Sequence, residues 1–204
     1  MSLNILLDFL PETVTIDGKK YFMDTDFRTC IIYEKILNDS SLDNREKVNE
    51  IIELFFTEEI PENTQAAMVE IINFYSCGVQ KKEKQSEKKN KVMMNGDVTV
   101  KPQMIYDFEY DAPYIFGAFY SQYHLDLNEI EYLHWWKFQA LFKSLNSNNK
   151  IVEIISIRAT DLSKIENKKE QQRIARLKEI YALPEKLTFE EKVARAGAVF
   201  GGGF

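Results

Sequence analysis

Apolar residues along most of the chain recur with the spacing of amphipathic helices. In the stretch that ends at Phe56, the apolar residues Val48, Ile51, Ile52 and Phe55 occupy the i, i+3, i+4 and i+7 positions of one helix face. Two neighbouring stretches carry comparable apolar faces. The predicted helices span residues 26–38, 46–56 and 63–76, and Gly78 lies where the third would end.

A different pattern precedes these helices. Two β-prone runs, residues 13–16 and 19–23, flank the pair Asp17-Gly18, which is a strong local signal for a two-residue hairpin turn. Two strands alone are marginally stable, so we expect the hairpin to pack on helices. The predicted fold class is mainly α, a helical protein with a small N-terminal β-hairpin.

Further helices are predicted in the second half of the chain. Asp111 is placed to cap a helix beginning at residues 112–113, because the first turn of a helix tolerates a proline such as Pro113. Asn128 with Glu131 resembles the cap of the next helix, which has apolar residues on two sides. We expect Trp136 on its core side and Trp135 on its second side. Additional helices are predicted at residues 151–157, where the short β-branched run also fits a strand, at 167–181, and after the capping box Thr188 to Glu191.

Charge divides the chain into three parts. Residues 1–80 carry a net charge of −9, residues 81–101 carry +4, and residues 102–204 carry −1. The run 81–91 contains no apolar residue, so it cannot bury surface to offset its ordering entropy. A weak second hairpin is predicted at 92–100. The predicted organisation is an N-terminal hairpin-plus-helix region (1–80), a basic, mobile, protease-sensitive linker (81–101), and an aromatic-rich helical region with a flexible C-terminal tail (102–204).

The composition is that of an ordinary soluble globular protein of 204 residues, with 45% hydrophobic and 28% charged residues. No run approaches the roughly 18 apolar residues needed to cross a bilayer. The N-terminus lacks a basic region and a long enough apolar stretch for a signal peptide. Cys30 and Cys77 are expected to be buried thiols in a reducing compartment. These features predict a cytoplasmic protein.

Candidate chemistry is sparse. His124 and His134 have no cysteine partners at metal-ligand spacing, and a structural role is favoured for both. Asp107, Glu109 and Asp111 alternate as in a calcium loop, but the glycine and glutamate expected later in that motif are absent, so solvated acids with Asp111 as a helix cap are favoured. Nucleotide-binding, hydrolase and metalloprotease motifs are also missing. We therefore predict no enzyme activity, no catalytic residues, no cofactor and no metal.

Lysines in 81–91 and basic residues of the 167–181 helix raise the alternative of nucleic-acid binding. A pI of about 5.2 and the neighbouring acidic residues of that helix disfavour it. Aromatic residues are more informative, because 26 are present and many lie between residues 106 and 142. They fit a dense core, an exposed interaction patch, or both. The candidate partner-binding residues are Tyr114, Phe119, Tyr123, Trp135, Phe138 and Phe142.

Several segments resemble the bacteriophage gene-product-fifteen family. Two are specific: Asp-Ala-Pro-Tyr-Ile at 111–115 and Leu-His-Trp-Trp-Lys-Phe at 133–138. Three others agree: Thr-Asp-Phe-Arg at 25–28, Arg-Ala-x-Asp-Leu-Ser-Lys-Ile at 158–165, and Tyr-Ala-Leu-Pro at 181–184. The resemblance covers nearly the whole chain.

This resemblance implies a small protein encoded in the tail module of siphophages and prophages, just before the tape-measure protein. Proteins at that position are usually tail-assembly chaperones, which are thought to coat the tape-measure protein and recruit tail-tube subunits in the host cytoplasm. The implied partners are therefore the tape-measure and tail-tube proteins, with a homo-oligomer or a companion chaperone, and neither nucleic acid nor membrane. The alternative is a structural tail component that stays in the virion. The family brings no catalytic residues.

Overall fold

Helices account for most of the ordered secondary structure in the computed structural model, which describes residues 4–78 and 105–184. The mainly α class with a small N-terminal hairpin is confirmed. The elements are β1 (Thr13–Ile16), β2 (Lys19–Phe22), α1 (Phe27–Asn38), α2 (Asn44–Phe55), α3 (Thr64–Tyr75), α4 (Ala112–Tyr123), α5 (Trp135–Lys143), α6 (Lys150–Ala159), a 3-10 turn (Leu162–Lys164) and α7 (Lys168–Ile180). The predicted linker, the second hairpin, the last helix and the C-terminal tail lie outside the described residues.

The predicted hairpin is present. β1 and β2 pair antiparallel with Thr13 opposite Phe22 and Ile16 opposite Lys19. Asp17 and Gly18 both have positive φ, 50° and 80°, which is the conformation that a two-residue hairpin turn requires and that favours an Asp-Gly pair. Ile16 is buried beneath the ribbon, so the hairpin is anchored to the helices as expected.

The three helices that follow begin at side-chain caps. Asp26 accepts a hydrogen bond from the Arg28 amide, Asp43 forms a full capping box with Glu46, and Asn63 caps α3. α3 ends before Gly78, whose φ is 67°, so the predicted helix end is confirmed. In the second half, α4 starts at the predicted position and residues 150–159 adopt the helical alternative.

The predicted start of α5 is wrong. The helix begins at Trp135, and the preceding residues form a loop in which the Asp126 side chain accepts the amides of Asn128 and Glu129. His134 takes the cap position, with its Nδ1 accepting the Trp136 amide at 3.0 Å. The loop follows from long-range contacts to α1, described below, for which the local sequence carries no signal.

One hydrophobic core contains residues from both described ranges, 4–78 and 105–184. Phe138 lies at its centre, stacked on Phe27, Phe119 and Trp135 at centroid distances of 4.8, 5.0 and 5.6 Å. Trp135 is only 1% exposed, whereas Trp136 is half-buried, so the predicted roles of the two tryptophans are reversed. Trp135 shares its face with Phe138 and Phe142, and this face buries more aromatic surface than the alternative one.

The two cysteines are free thiols. Cys30 is buried, which raises the pKa of its thiol, and Cys77 is half-buried. The prediction of a buried thiol is thus confirmed for Cys30 and only partly met by Cys77. None of the helices within the described ranges is both long and apolar enough to traverse a lipid bilayer.

Candidate interaction surface

The segment 25–28 holds the loop that precedes α5. The Phe27 amide donates to the Leu133 carbonyl at 2.9 Å, and the Asp26 carboxylate accepts the Leu133 amide at 3.0 Å. Arg28 Nη2 donates to the carbonyls of Leu127 and Ile130, both at 2.8 Å. The charged side chains of this motif therefore satisfy backbone groups of a distant loop, and their role is structural.

The first residues of α5 also form hydrogen bonds with the C-terminal end of α3. The indole nitrogens of Trp135 and Trp136 donate to the carbonyls of Tyr75 and Phe74, each at 2.8 Å. The last carbonyls of a helix lack partners within the helix, so two adjacent indoles supply what the end of α3 needs. The tryptophan pair is thus a junction between the two halves of the fold.

His134 completes this junction. Its Nε2 lies 3.1 Å from the Pro11 carbonyl oxygen, which can only accept, while its Nδ1 accepts the Trp136 amide. The ring is therefore neutral with its proton on Nε2. Burial lowers the pKa of His134, and Lys137 acts in the same direction, whereas the Pro11 hydrogen bond and Glu12 oppose them. The interpretation of His134 as a structural histidine agrees with these contacts.

Asp111 is not a solvated helix cap, contrary to the sequence-based expectation. Its carboxylate is buried and pairs with both terminal nitrogens of Arg158, at 2.6 and 2.9 Å. It also accepts the Asp107 amide at 3.0 Å. Arg158 in turn donates to the carbonyls of Tyr181 and Ile105, so one buried ion pair joins the start of α4, α6 and the end of α7.

The candidate metal ligands do not cluster within the described residues. Across residues 4–78 and 105–184, no three His, Cys, Asp or Glu residues come close enough together to hold a metal ion. His124 is exposed at the end of α4, with a φ of 52°. Asp107 accepts the amides of Glu109 and Tyr110, which places it in a local turn.

Four of the six predicted partner-binding residues are core residues. Phe119, Trp135, Phe138 and Phe142 are buried, so they cannot contact a partner while the fold is intact. Their aromatic character reflects core packing. Tyr123 is half-buried and donates its hydroxyl to the Leu141 carbonyl at 2.9 Å. Tyr114 is 38% exposed and remains available.

The outer side of α4 forms the strongest candidate surface. We call it the α4 face; it comprises Pro113, Tyr114, Gly117, Tyr120 and Ser121, all of them exposed. No residue of α4 is charged, and Tyr120 is 56% exposed while it stacks on Phe116. A Cβ atom added at Gly117 would meet nothing within 4 Å, so no neighbouring atom crowds this position. The sequence signal for this surface is a charge-free helix with a glycine in its middle, which a search for large aromatics overlooks.

A second apolar surface lies near the N-terminus. Leu6, Leu7 and Phe9 are 87%, 81% and 100% exposed, in a turn whose backbone is held by Asn4 and Asp8. Beside the turn lies a cleft of about 450 Å³. Its lining residues are Ile5, Asp8, Phe9, Leu10, Glu12, Tyr132, His134 and Lys137. This surface combines apolar and charged groups, unlike the α4 face.

Comparison with known proteins adds one match. A family model described as bacteriophage Gp15 protein matches residues 6–183, which is most of the chain. The match includes the α4 face and the buried contacts among residues 25–28, 111, 133–138 and 158. No curated protein and no solved structure matches the chain.

Proposed function

Because the chain belongs to the bacteriophage Gp15 family, a family of phage structural or assembly proteins, we propose that it is a tail-assembly chaperone. In this role it binds the tape-measure protein in the host cytoplasm, forms oligomers along it or acts with a companion chaperone, and recruits tail-tube subunits. It does so without enzymatic chemistry.

The observation that carries this proposal, together with the family, is the uncharged α4 face on an otherwise acidic protein. The chain has a net charge of −6, yet the twelve residues of α4 include none that is charged. Exposed apolar and aromatic patches on a charged surface are typical of sites that bind other proteins. Tyrosine is among the residues that most often anchor such sites.

A tape-measure protein presents a physical problem that this surface suits. Its long helices expose apolar stripes before the tail tube encloses them, and an unassisted chain aggregates through such stripes. A chaperone for it must bind many similar stripes and release each when tube subunits arrive. Modest affinity over a shallow helical surface meets that need better than a deep pocket does.

The test is co-expression of the tape-measure protein with and without this chain. We expect the tape-measure protein to be soluble and to co-purify with the chain only when both are present. An unrelated acidic protein expressed at the same level is the control for nonspecific effects. Deletion of the gene from the phage should leave capsids without tails.

Mass spectrometry of purified virions separates the chaperone from the alternative of a structural tail component. We expect the protein to be absent from finished particles. Its presence at a fixed copy number, combined with a tape-measure protein that is soluble alone, would replace the chaperone with the structural component.

A further inference from the structure

The N-terminal turn is attached to the rest of the protein by few contacts. Residues 4–9 are all exposed, and their own hydrogen bonds stay within the turn. Among the described residues, one hydrogen bond joins residues 4–11 to another segment: Nε2 of His134 lies 3.1 Å from the Pro11 carbonyl oxygen. The next attachment comes at Glu12, whose carbonyl extends the pairing of the hairpin. None of the apolar residues of the turn belongs to the core.

The hydrogen bond to Pro11 depends on the protonation state of His134. The ring is only 2% exposed, and its Nδ1 accepts the Trp136 amide at 3.0 Å. A neutral ring with its proton on Nε2 satisfies both partners. A protonated ring carries a hydrogen on each nitrogen, so its Nδ1–H would face the N–H of Trp136, donor against donor. The charged ring therefore cannot keep both contacts.

The two partners of the ring differ in how firmly they are held. Trp136 lies in the first turn of α5, its indole nitrogen donates to the Phe74 carbonyl at 2.8 Å, and the neighbouring Trp135 is buried. The Pro11 side has no comparable support. A rotation that moves Nδ1 away from the helix also moves Nε2 away from Pro11, because both nitrogens belong to one rigid plane. The N-terminal segment is therefore the part that yields.

The surroundings of the ring favour its neutral form. Burial lowers the pKa of His134 and Lys137 adds to this effect, whereas the Pro11 hydrogen bond and Glu12 act in the opposite direction. From α3 the ring meets only the uncharged ring of Phe74, at a centroid distance of 5.5 Å. The other titratable groups on the elements around it are Asp8 of the N-terminal turn, Tyr132 of the loop before α5, and Asp24 and Asp26 before α1.

We propose that His134 is a pH-sensitive latch: the neutral ring holds the N-terminal turn beside α5, and protonation of the ring releases residues 4–11 while the rest of the fold stays intact. Leu6, Leu7 and Phe9, which are 87%, 81% and 100% exposed, then lose their fixed position next to the cleft. The latch does not depend on the proposed function, because it consists of contacts within this chain.

The test is NMR relaxation of the full chain, labelled with ¹⁵N, between about pH 7.5 and about pH 5. Nitrogen shifts of the His134 ring report its charge in the same samples. We expect backbone order parameters of residues 6–10 to fall from about 0.85, as in rigid backbone, to below about 0.6 as the ring becomes charged. The amides of α6 serve as the internal control, and their order should not change over this range.

Three variants assign the effect to His134. His134→Asn can still cap α5, but its side chain is too short to reach the Pro11 carbonyl, so the turn should be mobile at every pH. His134→Gln places an amide nitrogen near the position of Nε2 and does not titrate, so the turn should stay ordered throughout. His124→Asn replaces the exposed histidine at the end of α4 and should behave like the parent protein.

Several outcomes would overturn the latch. One is a turn that keeps its order when the His134 ring is charged, with only the start of α5 loosened. Another is a ring that stays neutral until the whole protein unfolds. An ordered turn in His134→Asn would show that the Pro11 hydrogen bond does not hold it. A turn that loosens in His134→Gln at the same pH as in the parent would assign the change to Asp8 or Glu12.

Discussion

α4 and α7 are helices of nearly equal length, 12 and 13 residues, with opposite surfaces. α4 has no charged residue and three buried ones, Ile115, Ala118 and Phe119. α7 has no buried residue, and more than half of its residues are charged. The exposed side of α7 is charged, as is typical of a solvated surface. The exposed side of α4 is uncharged, as is typical of a surface that binds another protein.

The two helices are also held differently. α7 is attached by polar contacts: Lys178 donates to the Thr160 carbonyl at 2.6 Å, and Gln171 to the Leu162 carbonyl at 2.9 Å. Seven of its thirteen residues are charged, and Arg173 pairs with Glu170 on the exposed side. Exposure alone does not identify an interface. An exposed, uncharged face on a helix that packs on the core is a better indication of one.

The largest predicted effect comes from cutting the connection between these helices. Arg158→Met leaves the Asp111 carboxylate buried without its partner and frees the Tyr181 carbonyl at the end of α7. We expect a loss of about 3–5 kcal/mol in the free energy of unfolding, measured by urea denaturation. Asp111→Leu combined with Arg158→Met should lose much less, because no charge is then buried alone. A double variant as unstable as the single one would show that the geometry of the pair matters more than its charge.

The difference in packing predicts the next effect. Phe119→Ala removes a ring stacked on Phe138 in the core and should cost about 3–4 kcal/mol. Leu177→Ala removes a half-buried side chain from α7 and should cost about 1 kcal/mol. Both variants are measured by thermal and urea unfolding. If the two variants lose the same free energy of unfolding, α7 packs more firmly than its exposure indicates.

The cap residues of α5 and α7 predict a difference that the pH dependence of stability can test. α7 is capped by Asn167, which does not titrate, whereas α5 is capped by His134, whose pKa is lowered by burial. Below about pH 6.5 the unfolded chain binds a proton at this histidine that the folded chain excludes. Stability should therefore fall as pH decreases from 7 toward 5, by at most about 1.4 kcal/mol per pH unit.

Two variants separate the contribution of His134 to the pH dependence of stability from the contribution of carboxyl groups. His134→Asn keeps a good helix cap and should remove part of the pH dependence. His124→Asn replaces the other histidine, in a left-handed conformation that asparagine tolerates, and should keep the full dependence. The reverse order would place the titrating group at the end of α4.

A mirrored pair of substitutions compares the two helix interiors. Gly117→Ala in α4 should raise the free energy of unfolding by about 0.5–1 kcal/mol, because it adds helix propensity and meets no neighbour. Ala175→Gly in α7 should lower it by about the same amount. Destabilisation by Gly117→Ala would show that the glycine is needed by the fold itself.

The smallest effect is expected on the surface of α7. Arg173 forms two hydrogen bonds with Glu170, which lower the pKa of that carboxyl group. Both side chains are exposed to solvent, where such pairs contribute little. Glu170→Gln should leave the unfolding midpoint unchanged at neutral pH and at either low or high salt. A clear loss at low salt would indicate a wider charge network along α7.

Local patterns predicted most of the fold, as the hairpin shows. The Asp17-Gly18 pair, the apolar stripes of α2 and α3, and Gly78 each act over a few residues, so each is readable without knowledge of the rest of the chain. The start of α5 was missed because its loop is held by Asp26 and Arg28, about 100 positions earlier in the sequence. No local rule contains that contact.

The candidate site shows the same division between local and long-range information. Aromatic content predicted an interaction surface but named mainly core residues, because size alone does not tell a buried ring from an exposed one. Only Tyr114 of the six lies on the α4 face. The burial of Asp111 is not predicted for a related reason: its partner, Arg158, lies 47 residues away, and each residue taken alone resembles an ordinary surface charge.

The junction between α3 and α5 also provides an optical signal. Trp135 and Trp136 are the only tryptophans among the 204 residues, and both donate their indole hydrogens to the last carbonyls of α3. Nearly all long-wavelength ultraviolet fluorescence of the protein therefore originates at the contact between residues 4–78 and 105–184. Separation of the two parts exposes both indoles to water and shifts their emission to the red, so emission colour reports directly on whether the two parts are joined.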